Sequence, residues 1–163
     1  MIKFSLPLRN DRQRPTVCLD NFANSYVMLD TGALIPVWCG EEKIFQDLGA
    51  VFVASGQSFG GFGGTATGTL YRLPLFRFGK LLFPNLPVIV SRYNLPCQMI
   101  LSATMFKGLA YEVDDGHHLL SVTVPDGETN VRHLKVTDKN GRVHVLCTGD
   151  NDILMSAKLK DYY

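Results

Sequence analysis

Apolar residues in this chain gather in short runs divided by turn formers, with no long stretch at helical spacing. The runs fall at residues 16–19, 26–29, 51–54, 68–75, 87–90, 119–124, 131–136 and 143–147. Short segments rich in Val, Tyr, Phe and Thr, spaced this closely, predict a mainly β fold. The sheet is expected to be closed or folded over into a barrel rather than to alternate with helices. Asp20-Asn21 and Asn24-Ser25 mark a turn between the first two runs. Asn140-Gly141, between the last two, predicts a type I′ hairpin, whose central residues both need positive φ. Helix is scarce. Residues 41–48 and 102–109 predict two short helices, the second capped by Ser102 with Gly108 near its far end, and 152–159 is a third candidate. A division near Pro125-Asp126-Gly127 separates a domain of residues 1–125 from a C-terminal hairpin and tail, 126–163, expected to pack on that same domain.

Composition narrows the function classes. A chain of 163 residues makes one ordinary domain and buries a core without disulfide or structural metal. Hydrophobic residues at 46% and charged residues at 19% exclude a disordered chain. The 16 Lys and Arg are balanced by 15 Asp and Glu, which leaves no electrostatic case for nucleic acid or an anionic membrane. So little charge beside 10 Phe implies apolar surface hidden against a partner, such as a second copy of the chain. No apolar run reaches the length of about 18 residues that a membrane span needs, and the first residues lack the apolar stretch of a signal peptide. A cytoplasmic protein is therefore expected. Cys18, Cys39, Cys97 and Cys147 form no C-x-x-C pair and none sits beside a histidine at ligand spacing, so they read as free thiols of a reducing compartment.

The segment that carries chemistry is Tyr26-Val27-Met28-Leu29-Asp30-Thr31-Gly32-Ala33. An apolar strand stops at an acid, turns through Thr and Gly, and resumes as Leu34-Ile35-Pro36-Val37-Trp38. Local N–H groups there can hold the carboxylate. Thr31 offers a hydroxyl for a sideways bond, and Gly32 lets the backbone turn sharply. The bland alternative is an Asp-Thr-Gly turn in an ordinary hairpin, and the tetrapeptide arises by chance in about one chain in a thousand of this length. A second segment, Gly60-Gly61-Phe62-Gly63-Gly64, lies thirty residues on and has the composition of a loose hairpin tip with free N–H groups and one apolar cover. It lacks the G-x-x-x-x-G-K-[ST] spacing of a phosphate loop.

Together these segments resemble the retropepsin family of retroviral-type aspartic proteases. The resemblance spans roughly residues 2–124. It implies that Asp30, Thr31 and Gly32 are catalytic, and that the Gly60–Gly64 stretch is the tip of a flap over the cleft. Ala33, Gly60, Gly61, Phe62, Gly63 and Gly64 are then expected to meet the substrate, with Ile35 in the cleft wall. A third stretch, Ile100-Leu101-Ser102-Ala103, fits the family's apolar pair and following helix, but Ser102 stands where the family has glycine. Retroviral members interleave their chain ends at the dimer interface, so the tail from Pro125 to Tyr163 leaves the mode of dimerisation open.

Aspartic proteolysis needs two carboxylates that share one proton. The chain carries a single Asp-Thr-Gly. Asp115-Gly116 is the nearest imitation, but Asp114 and His117-His118 flank it instead of apolar strand. The resemblance therefore implies a homodimer that hydrolyses a peptide or protein substrate without cofactor or metal, and with no nucleic-acid or membrane partner.

Other readings are weaker. His117-His118, His133 and His144 do not converge if they lie on strands, and a surface turn explains the adjacent pair. Trp38 and Tyr71 lack the basic groove that base stacking needs. A cysteine nucleophile has no local signature. Arg9, Arg12 and Arg14 read as a solvated loop or a dimer-contact arm. The alternative from another class is a catalytically inactive dimerisation or peptide-binding module on the same fold.

Overall fold

The structure is a computed structural model that describes residues 1–11, 14–30, 32–61, 64–92, 95–126 and 133–147. Twelve strands make one mainly β architecture: β1 (Ile2–Asp11), β2 (Arg14–Leu19), β3 (Ser25–Asp30), β4 (Val37–Trp38), β5 (Val51–Gly61), β6 (Gly64–Phe78), β7 (Leu81–Val90), β8 (Met99–Ser102), β9 (Ala110–Asp114), β10 (Leu119–Val124), β11 (His133–Thr137) and β12 (Val143–Cys147). Among the described residues, one helix, α1 (Glu42–Asp47), and two 3₁₀ turns, Asp20–Phe22 and Ala103–Phe106, accompany them.

The strand order is β11-β12-β7-β4-β8-β3-β2-β1-β10-β9, with the β5–β6 hairpin joined through β6 to β7. Among the described residues no pairing joins β11 to β9, so the sheet folds over without closing.

The two faces of the central strands serve different clusters. In β3, Val27 and Leu29 enter the main core with Trp38, Tyr71, Met99 and Leu101, whereas Met28 enters a smaller cluster with Ala33, Val37, Ile89 and Ile100. Both faces are covered, which is why these strands read as continuous apolar runs. β10 instead alternates buried and half-buried positions, the mark of one covered face. Trp38, fully buried, stacks on Phe45 of α1 at 4.9 Å between centroids and donates its indole N–H to Glu41 O.

Several expectations change. The helix predicted for 102–109 is a single 3₁₀ turn, Ala103–Phe106, because Gly108 at φ 84 turns the chain straight into β9. Ser102 occupies the position before that turn, but its hydroxyl makes no cap bond. The Asn140-Gly141 hairpin is not type I′: Gly141 has φ 78 while Asn140 stays outside the positive region. Instead Asp138 O accepts from Gly141 N, and the Asp138 carboxylate accepts from the N–H groups of Asn140 and Arg142. That side chain sets a wider loop. The candidate helix at 152–159 and the first two residues of the 131–136 run lie outside the described residues. β12 runs parallel to β7, Val145 beside Leu81 and Leu146 beside Leu82, and Val145 joins the main core.

Candidate active site

β3 and β4 are joined by the short segment 31–36, and β8 lies between them, parallel to β3 and antiparallel to β4. This ψ-shaped arrangement sets Asp30, the last residue of β3, beside Ser102, the last of β8. Asp30 is half-buried, and its Oδ1 accepts the Gly32 N–H at 2.9 Å. A Cβ at position 32 would lie 3.3 Å from that oxygen, so glycine is what lets the N–H approach without crowding the carboxylate. Ala33, buried, closes the turn by donating to Asp30 O at 3.1 Å and accepts from Ala103 N at 3.3 Å.

The registers align a row across the sheet. Met28 lies opposite Ile100, Ile100 opposite Val37, Val37 beside Ile89, and Ile89 opposite Leu70. Met28, Ile100, Val37 and Ile89 belong to the smaller apolar cluster, with Ala33 within it and half-buried Ile35 and Leu70 packed against it. Side chains two residues apart share a face. Asp30, two beyond Met28, and Gly68, two before Leu70, therefore lie on the face that carries this row. Gly68 roots the β5–β6 hairpin, and a Cβ there would come within 2.5 Å of Ile89 Cγ2 and Val90 O.

Among the described residues, the hairpin strands beyond Gly68 pair only with each other, through Ser58↔Thr67, Phe59↔Ala66, Gly60↔Thr65 and Gly61↔Gly64. Gly60, Gly61 and Gly64 thus form the glycine end of a projecting hairpin. Phe62, Gly63 and Thr31 lie outside the described residues.

Support for the loop comes from residues the sequence did not single out. Thr104 donates its hydroxyl to Leu34 O at 3.2 Å, so the 2.7 Å contact between Ser102 Oγ and Thr104 Oγ1 has Ser102 donating. Gln98 accepts from Tyr26 N through its side chain, donates its own N–H to Tyr26 O, and accepts from Cys39 N. Its polar character amid apolar neighbours was the available signal. Ser102 itself is fully buried at φ −88, ψ 154, extended backbone that any residue adopts. The site thus has no need of glycine conformation at that position.

A cavity of about 380 Å³ opens beside the loop, lined in part by Leu34, Ile35, Pro36, Thr104 and Met105. Asp30 does not line it, and of the described residues of the β5–β6 hairpin only Arg72 does.

His117 binds Asp114 at 2.7 Å in the β9–β10 turn, and His144 binds Asp138 at 3.0 Å. Among the described residues no group of three metal-ligating side chains assembles. Trp38 and Tyr71 are buried and present no ring to a base. All four cysteines are free. Burial, with Cys97 close by, pushes the Cys39 thiol up to about 12, and burial does the same to Cys147, so neither is a thiolate at neutral pH. Arg9 lies over the Tyr26 ring at 4.5 Å, while Arg12 is outside the described residues. Among the described residues no helix is long and apolar enough to cross a membrane.

No family model and no curated protein matches the chain. One solved structure similar to it is the crystal structure of a retropepsin-like aspartic protease from Rickettsia conorii, at 18% identity and a TM-score of 0.49, covering 74% of this chain and 89% of that one.

Proposed function

We propose that the chain is a retropepsin-like aspartic endopeptidase, active as a symmetric homodimer in which Asp30 of each copy faces the other. The observation that carries this reading is the row from Met28 to Leu70, which puts the Asp30 turn and the root of the glycine-ended hairpin on one face of the sheet. Two carboxylates about 3 Å apart cannot both ionise readily, so one keeps a proton while the other draws a proton from the attacking water. The protonated partner then serves the leaving nitrogen.

The Thr31 hydroxyls bond across the two-fold axis, and Gly32 positions the carboxylate. Gly60, Gly61, Phe62, Gly63 and Gly64 form the flap, whose N–H groups hold an extended peptide, with Ala33 in the apolar wall. Residues 1–125 are the protease domain, with 126–163 added to it, and four free thiols fit a cytoplasmic setting.

Peptide-library cleavage, read by mass spectrometry from about pH 4 to 8, tests this with wild type and Asp30→Asn. Cuts that disappear in the variant, with fold and dimer mass retained, are expected. Equal cutting by both proteins would refute the assignment of Asp30. A folded wild-type dimer that binds peptides and cuts none would instead be the noncatalytic module.

A further inference from the structure

The cavity of about 380 Å³ beside the loop between β3 and β4 has the size of a small-molecule pocket and largely apolar walls. Buried Phe83, Leu86 and Met105 line it, and Leu34, 72% exposed, stands at its opening. The charge on its walls has one sign. Arg72, Lys107 and His133 line it, and among the described residues no Asp or Glu does. The other ionisable lining group, the Cys147 thiol, is pushed up to about 12 by burial and stays neutral near pH 7. In a chain whose 16 Lys and Arg are matched by 15 Asp and Glu, a pocket with cations alone is a local departure.

Arg72 is built into the wall. It is half-buried on β6, opposite Pro87 of β7. The ladder between these strands passes from Leu73↔Leu86 to Leu75↔Pro84, so Pro74 falls opposite Asn85 and has no N–H to offer it. Asn85 leaves strand geometry there, at φ 50, and Arg72 Nη1 donates to its carbonyl oxygen at 2.9 Å. That bond fixes the guanidinium while occupying one of its five N–H groups. Among the described residues neither Arg72 nor exposed Lys107 forms an ion pair.

We propose that this cavity binds a small apolar carboxylic acid, its carboxylate on the Arg72 fork and its hydrocarbon body against Phe83, Leu86 and Met105. A planar carboxylate matches a guanidinium fork, and Lys107 adds attraction from the rim. Phosphate fits less well, because phosphate sites gather backbone N–H groups and three of the lining residues, Pro36, Pro84 and Pro87, have none.

The site stands apart from any cleavage chemistry, since Asp30 does not line it. An occupant nevertheless touches the loop that follows Asp30. Leu34, Ile35 and Pro36 form part of the wall, and Thr104, which donates to Leu34 O, lies in the same lining.

Titration of the full chain with octanoate, read from the ¹³C-methyl resonances of Ile35 and Met105, tests this. Octanamide, with the same body and no charge, is the control, and Trp38 emission and circular dichroism report the fold of each variant. Saturable shifts at both methyl groups are expected with a dissociation constant below about 1 mM, and octanamide should bind about tenfold more weakly. Arg72→Gln is expected to weaken octanoate about tenfold, and Lys107→Gln, at an exposed position, about threefold. Methyl resonances that do not move, octanamide binding as tightly as octanoate, or an affinity unchanged in both folded variants would overturn the site. Should Arg72→Gln fail to fold, an unchanged affinity in Lys107→Gln does so by itself. Inorganic phosphate that displaces octanoate at equal concentration would overturn the choice of a carboxylic acid.

Discussion

Ser102→Gly restores the residue found in the resembled family and isolates what the serine contributes. Ser102 is fully buried in ordinary extended backbone, and its hydroxyl donates to Thr104 Oγ1 at 2.7 Å. Removing the side chain deletes one hydrogen bond, worth about 1 kcal/mol net because exposed Thr104 turns to water for a replacement. Glycine in place of Ser102, at the end of β8, costs a further 0.5–1 kcal/mol, roughly, in backbone entropy. The sum is about 2 kcal/mol.

Trp38, the single tryptophan, is buried against Phe45 and reports unfolding by its emission. With a urea dependence of about 2 kcal/mol per molar, the midpoint should fall by about 1 M. Ser102→Ala, which keeps the Cβ and loses only the bond, should fall by about half as much. Protein concentration must be held constant, because dimerisation adds to apparent stability. A Ser102→Gly protein as stable as wild type, or one that cuts peptides severalfold faster, would refute this reasoning and show that serine strains the site.

Gly32→Ala places a methyl group 3.3 Å from Asp30 Oδ1 and should displace the carboxylate, lowering kcat about tenfold with little change in urea midpoint; unchanged kcat would remove Gly32 from a positioning role. The Asp138 carboxyl is held below its usual 3.8 first by the Arg142 N–H, then by His144 and the Asn140 N–H. A depressed folded value means the folded form binds its proton less readily than the unfolded chain, so the contribution is complete above pH 3.8 and is lost as pH falls through the lowered value. Hydrogen exchange of β11 and β12 should therefore lose protection below about pH 4 in wild type, and this step should flatten in Asp138→Asn; identical profiles would exclude Asp138 as the cause.

How far the sequence discloses this molecule differs from element to element. α1 and the strands with long apolar runs were legible because local pattern and burial agree there. β1 carried a signal that went unread: Ile2, Phe4, Leu6 and Leu8 alternate with Lys3, Ser5, Pro7 and Arg9, the period of a half-covered strand, although Pro7 argues against one. β4 and β8 are too short for any periodicity to reveal them. The 3₁₀ turn at Ala103–Phe106 looks helical in isolation, and only Gly108, at positive φ ahead of β9, cuts it to one turn.

By itself the sequence determined the local chemistry: an acid ending an apolar strand, a glycine after it to admit a close N–H, and a glycine-rich hairpin downstream. These follow from residue type and near-neighbour spacing, which backbone sterics translate directly into turns and strands. Only the tertiary structure decided which strands lie side by side. Met28, Val37, Leu70, Ile89 and Ile100 come from five separate strands, and their alignment depends on register between segments distant along the chain. So does the bond from Thr104 to Leu34, seventy residues apart. Hydrophobic burial selects such pairings because it is non-directional and acts on the whole folded surface at once, so no single segment contains the information that places Asp30 and the hairpin on one face.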